Sequence, residues 1–160
     1  MSRDGALVMH AMLLHAPSTP LVWTELPDRR PGPGEIRVRV LACGVCRTDP
    51  HAVDGNLRHP RLPLIPDHEI VGRVDAIGTG VMELCIGQRA SPPWLGHTCG
   101  RCDYCDTGHE NLCNAPSLTG YTCDGGYATS AVADARFAFP LGKDGDPASI
   151  VPLLCAGFIG

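Results

Sequence analysis

Aromatic side chains are scarce in this 160-residue chain, at 5% of the total, and no apolar run approaches the roughly 20 residues that a membrane-spanning helix needs. Met1 to Arg30 likewise lacks a long apolar core, so neither a secretory leader nor a membrane anchor is expected, and the default compartment is the cytoplasm. A basic excess is also missing. The formal charge is −4, and nothing in its distribution points to a nucleic-acid partner. There is no internal repeat and no low-complexity linker.

What the chain does have is 19 glycines and 15 prolines, which with so few rings favour short strands joined by many turns over long helices. With 44% hydrophobic and 19% charged residues it is long enough for one compact domain, and the expected class is mainly β with short helices. It also has nine cysteines, four of them within fifteen residues: Cys99, Cys102, Cys105 and Cys113. Two gaps of two residues and one of seven let four sulfurs turn to a point, with Gly100 and Gly108 supplying tight curvature. A closed tetrahedral zinc site is favoured over two disulfides, because clustered thiols without a secretory context favour metal. Such a site leaves no position for substrate, so it is structural and chemistry must lie elsewhere.

In chain order, residues 11–15 and 21–25 read as two short strands around the Pro17–Pro20 turn, and residues 35–42, with Ile36, Val38 and Val40 alternating, as a half-buried strand. That strand delivers Cys43-Gly-Val-Cys46, alone a weak signal: a redox dithiol, half a zinc knuckle, or one ligand beside a bystander. Thr48, Asp49 and His51 follow within five residues, although a lone His51 reads first as a surface histidine. The proline-rich segment 59–66 cannot be helix, and residues 67–78 read as a loop entering a strand. Gly78-Thr-Gly80 is expected to be a hairpin turn, not a phosphate loop, and Gly125 and Gly126 turn residues. Cys85 and Cys123 have no partner by spacing and read as small apolar packing residues. Residues 147–160 are expected to form a short helix carrying Cys155.

Three features in order, Cys46-Arg-Thr48-Asp-Pro-His51, Pro66-Asp-His68-Glu69-Ile-Val-Gly72 and the four-cysteine lobe, resemble zinc-dependent medium-chain alcohol dehydrogenases, and the match continues to Leu153-Leu-Cys155-Ala-Gly157. Pro93-Trp94-Leu95-Gly96 and Gly120-Tyr121-Thr122 look most like the cinnamyl-alcohol-dehydrogenase-like branch. The resemblance implies a GroES-like, partly open β-barrel spanning residues 1–160, with a structural zinc lobe at 97–115. It implies two zinc ions per chain, the second held by Cys46, His68 and Cys155 with a fourth position open to an alcohol or aldehyde oxygen. By the same resemblance Asp49 is a partner of His68, Thr48 and His51 relay the alcohol proton, Glu69 is a carboxylate near the metal, and Leu57 and Trp94 line the substrate pocket. NAD or NADP is the implied cofactor. No cofactor-binding residue can be named, because the relatives' Rossmann domain has no counterpart in this sequence.

The departures carry expectations too. Asp67 stands where the family has glycine, and could strain the backbone or compete for the open metal position. Gln88, and Thr129 with Ser130, replace residues usual in the family and are expected to weaken local packing. The reading is therefore of a truncated catalytic domain of an NAD(P)-linked alcohol dehydrogenase, poorly active alone. The alternative is a non-catalytic zinc-binding module. A homo-oligomer, or a Rossmann domain supplied by a separate chain, would fit the first.

Overall fold

Alternating apolar residues produce the central strand of the protein, whose computed structural model describes residues 8–58, 60–155 and 157. In β3 (Glu35–Cys43), Ile36 and Val38 are fully buried and β-branched, which suits them to a pleated, covered surface. It pairs antiparallel with β4 (Ile70–Ile77) on one side and β8 (Ser130–Asp134) on the other. With β5 (Arg89–Ser91) and β9 (Phe139–Pro140) they form one sheet of order β8-β3-β4-β5-β9. Ile36, Val38, Ile70, Val74, Leu84, Ala90, Ala131 and Ala138 make its core, where each large aliphatic side chain contributes about 1.5–3 kcal/mol on burial. Arg37 forks onto Asp75 at 2.8 and 3.2 Å and reaches Asp28 at 2.9 Å, joining β3, β4 and the loop around Asp28.

The two N-terminal strands expected from sequence are β1 (Val8–Leu13) and β2 (Val22–Pro27), an antiparallel ribbon. β1 turns Met9, Ala11 and Leu13 onto Ile65, with Leu26, Tyr127 and Ala128 packed around them. A third pair, β6 (Leu95–His97) and β7 (Ser117–Leu118), closes the base of the cysteine lobe. Among the described residues the three sheets stay separate and do not close into a barrel. Helices are short: α1 (Thr48–Val53), α2 (Asp103–Asp106) and α3 (Pro147–Ile150), the last capped by Asp146 and tightening into a 3-10 turn at Val151–Leu154. Part of the expected C-terminal helix, Ala156 and residues 158–160, lies outside the described residues, as does His59.

Several local expectations are corrected. Thr79 and Gly80 do turn the chain, but the next strand begins only at Arg89, so there is no tight hairpin. Gly78 is there because a Cβ would meet the Gly32 carbonyl oxygen at 1.8 Å. Cys85 is exposed and does not pack, whereas Cys123 is half-buried. The replaced residues make compensating hydrogen bonds: Gln88 Oε1 accepts from Cys85 N at 3.0 Å, Thr129 Oγ1 from His10 N at 3.0 Å, and Ser130 Oγ donates to Asp28 at 2.8 Å.

Candidate metal centres

Cys46, His68 and Cys155 come from three separate segments: the turn after β3, the loop before β4 and the turn after α3. Their ligand atoms all lie within 4.8 Å of one another. The Cys46 and Cys155 sulfurs are 3.6 Å apart across 109 positions of sequence. That is far beyond a disulfide bond and close to the roughly 3.8 Å that two thiolates at ~2.3 Å from a tetrahedral ion would show. The backbone assembles the set. Cys43 pairs with Ile70 at the end of the β3–β4 ladder and Gly44 N donates to Glu69 O at 3.0 Å. Glu69 is buried, and its carboxylate and the Val151 side chain both press on Gly44, between the Cys46 turn and the turn that carries Cys155.

The electrostatics suit a cation. Asp49, Asp67 and Glu69 are all buried here, at 4%, 0% and 2% exposure. Burial pushes the Asp67 carboxyl up to about 7, against the Glu69 N–H that stabilises its anion and with Asp49 and Glu69 adding repulsion. Burial, the Cys46 thiol and the Glu69 and Asp49 carboxylates push Cys155 up to about 12. Burial lowers the His68 pKa in spite of Glu69, keeping the imidazole neutral as a metal ligand must be, and its Nδ1 is buried with no hydrogen-bond partner. Two thiols and a neutral imidazole whose ligand atoms lie within 4.8 Å of one another, in a region rich in carboxylates, fit a zinc ion.

Asp49 is placed differently from its expected role. Its Oδ2 accepts Cys46 N–H at 2.7 Å and the carboxylate is also held by Tyr127 and the Asp67 N–H. It braces the segments carrying Cys46 and His68 through their backbones and makes no hydrogen bond to the ring. Asp67 belongs to neither metal cluster; its Oδ1 accepts Glu69 N–H at 2.7 Å, while its Oδ2 is buried with no hydrogen-bond partner. Thr48 lies beside the cluster, its hydroxyl 3.9 Å from Cys46 Sγ. His51, one turn along α1, is half-exposed with Nδ1 3.4 Å from Asn56 Nδ2. Thr48 and His51 are thus brought to one helix face running outward from the cluster.

Trp94 meets the His68 ring edge-on, with centroids 4.9 Å apart, and stacks on Tyr121 at 6.1 Å. The Tyr121 hydroxyl donates to the Arg58 carbonyl, which ties the half-buried Leu57 loop to this aromatic wall. Tyr121 and Tyr127 went unread as site residues; nothing in their spacing announces them, because both act through partners distant in sequence. Gly125 and Gly126, expected as turn residues, serve close approach, as a Cβ would lie 1.8 Å from Asp67 O at the first and 2.4 Å from Asp67 Oδ2 at the second. A cavity of about 970 Å³ lies between the main sheet and the lobe, and none of the three cluster residues lines it.

Cys99, Cys102, Cys105 and Cys113 form the second cluster, also with sulfurs within 4.8 Å of one another. Gly100 and Gly108 take positive φ, 64° and 75°, as the curvature requires. At 3.5 Å for Cys102–Cys105 and 4.0 Å for Cys99–Cys105 the sulfurs are not disulfide-bonded. Backbone N–H groups converge on them: Cys99 N and Ala115 N on Cys113 Sγ at 3.3 and 3.4 Å, while those of Asn114 and Cys105 pull Cys102 down to about 6. Donors aimed at sulfur favour the thiolate, so this set also fits zinc.

The sequence model described as "Alcohol dehydrogenase GroES-like domain" matches residues 32–143. An alcohol dehydrogenase of Geobacillus stearothermophilus is 41% identical over 150 residues, 93% of this chain and 44% of that protein. Among solved structures, a cinnamyl alcohol dehydrogenase from Sorghum bicolor superposes with a TM-score of 0.84 at 29% identity, over 94% of this chain and 45% of that one. A cobalt- and zinc-bound thermostable alcohol dehydrogenase from Pyrobaculum aerophilum gives 0.81 at 31%, over 92% and 45%. The chain thus spans less than half the length of the relatives it matches.

Proposed function

The chain belongs to the alcohol dehydrogenase GroES-like domain family, and from that premise we propose that it is the zinc-binding catalytic domain of an NAD(P)-linked alcohol dehydrogenase interconverting small alcohols and aldehydes. The observation that carries this is the convergence of Cys46, His68 and Cys155 beside an aromatic wall, in addition to a closed four-cysteine set. Zinc held by those three residues would supply Lewis-acid polarisation of the substrate oxygen. The chain's own residues do the rest. Trp94, Tyr121 and Leu57 seat the apolar part of the alcohol and keep water from it. The Thr48 hydroxyl accepts the alcohol proton as it gives up its own, and His51 carries the released proton outward from the exposed end of the same helix face. Glu69 and Asp49 hold the segments that carry the ligands.

Hydride transfer needs a nicotinamide held against this wall, and no cofactor-binding residue is assigned among the described residues. A Rossmann domain, in the same polypeptide or a separate chain, is the expected source. Nine free thiols suit a reducing, cytoplasmic setting, and among the described residues no helix is long and apolar enough to cross a membrane.

Metal analysis of the purified chain tests the reading. Two zinc ions per chain are expected, one of them exchangeable for cobalt; a single, tightly held ion would leave only a structural zinc module. Turnover with NAD(P) by these 160 residues alone should be very slow, since orienting the nicotinamide supplies much of the rate.

A further inference from the structure

Asp67 adopts a conformation that residues with side chains seldom take: its φ is +80°, and among the described non-glycine residues only Ser18 shares that region. A left-handed backbone is unfavourable for an L-residue, and Asp and Asn are the usual exceptions because a short polar side chain can hydrogen-bond locally. Asp67 does so while fully buried, its Oδ1 accepting the Glu69 N–H at 2.7 Å. The main chain around it has little slack. A Cβ on Gly120 would lie 2.6 Å from Asp67 N and one on Gly125 1.8 Å from Asp67 O, and Gly126 N donates to that same oxygen at 3.1 Å. Residue 67 is wedged between its own turn and the 120–126 loop, and the next residue is His68.

We propose that Asp67 is a positioning residue for His68: by accepting the Glu69 N–H its carboxylate holds the left-handed turn that directs the imidazole to Cys46 and Cys155. The inference rests on the metal reading of that cluster. It makes a distinctive demand on substitutions. Asparagine keeps the acceptor, and glycine takes positive φ without needing one, so both preserve the turn. Alanine has neither property, although its size lies between theirs.

The test is cobalt titration of the 160-residue chain with its four-cysteine site kept filled with zinc, followed by thiolate-to-cobalt and ligand-field absorption, with thermal midpoints as the check on folding. Asp67→Asn and Asp67→Gly are expected to bind cobalt within about threefold of the parent and with its spectrum, whereas Asp67→Ala loses roughly tenfold in affinity. Equal affinity for Asp67→Ala and the parent would overturn the proposal, as would an equal loss in Asp67→Gly. So would tighter binding in both Asp67→Ala and Asp67→Gly, which would mean that the carboxylate competes for the metal. A parent chain that takes up no further cobalt would instead bring down the metal reading itself, and this inference with it.

Discussion

Gly125→Ala tests whether the loop behind His68 is as tightly fitted as the geometry requires. A Cβ at residue 125 would sit 1.8 Å from the Asp67 carbonyl oxygen, 2.5 Å from that of Pro66 and 2.8 Å from the Asp67 carbonyl carbon. Ordinary carbon–oxygen contacts begin near ~3.3 Å, so about 1.5 Å of movement is needed. All three obstructing atoms are backbone, and no flexible side chain can give way. Gly125 N donates to Ile65 O at 2.7 Å and Gly126 N to Asp67 O at 3.1 Å, so movement also breaks a backbone ladder. Overpacking typically costs ~1–3 kcal/mol, and a backbone clash belongs at the upper end, about 3 kcal/mol. At ~2–4 °C per kcal/mol for a chain of this size, the thermal midpoint of the zinc-loaded protein should fall by roughly 6–12 °C by circular dichroism. Gly142→Ala is the control: nothing lies within 4 Å of its Cβ and its φ is not positive. It should be neutral or stabilising by ~0.4–1 kcal/mol through the unfolded chain. If both variants melt within a degree of the parent, the close approach to Asp67 is not a constraint and the reasoning fails.

Other perturbations reach different parts of the molecule. Arg37→Met leaves Asp28 and Asp75 without their shared cation and should lower stability by about 3 kcal/mol in urea unfolding at pH 7; a loss under 1 kcal/mol would count against the network. Tyr121→Phe removes only the hydroxyl that ties Arg58 to the aromatic wall, so a loss of about 1 kcal/mol is expected with the Trp94 stacking retained in the near-ultraviolet dichroism. Asp134 is partly buried, which raises its pKa, but hydrogen bonds from Arg136 and His97 prevail and hold it below the usual carboxylate range. A depressed acid stabilises above its unfolded pKa, near ~4, and that contribution is lost as pH falls through the lower folded value. Asp134→Asn should therefore be less stable by roughly 0.5–1 kcal/mol at pH 7, with the difference vanishing as the pH falls through the depressed folded value; an unchanged acid limb in pH-dependent unfolding would refute the assignment.

How far the sequence could be read depended on whether a signal was local. β3 was legible because Ile36 and Val38 alternate over a run long enough to show its period, and the lobe because four sulfurs lie close enough in sequence for their spacing to dictate a shared centre. The Cys46, His68 and Cys155 set has no such local signature, since the two cysteines are 109 positions apart, and only the resemblance brought it into view. What neither spacing nor resemblance carried was backbone shape. Gly125 and Gly126 read as turn residues, yet their role is to let one segment press against Asp67, and closeness to a distant chain leaves no trace in local pattern. Gln88, Thr129 and Ser130 read as weakening changes, and each found a hydrogen-bond partner that only the tertiary structure supplies.

The same contacts explain why fold and candidate centre are one object. Asp49 and Asp67 are buried without an ion pair among the described residues, held by backbone N–H groups and Tyr127. Two cysteine thiols face one another beside them, each sulfur the other's near neighbour. Burying two acids without a cation is costly, and replacing either by an apolar residue would lower that cost. A divalent ion between Cys46, His68 and Cys155 would offset the charge of two thiolates at once and take the imidazole as its third ligand. The acids meanwhile fix the segments that present the ligands, acting through the N–H groups of Cys46, Asp67 and Glu69. A centre built this way is preformed by the strands on either side of it, and an ion bound there would stabilise an arrangement that the backbone already holds.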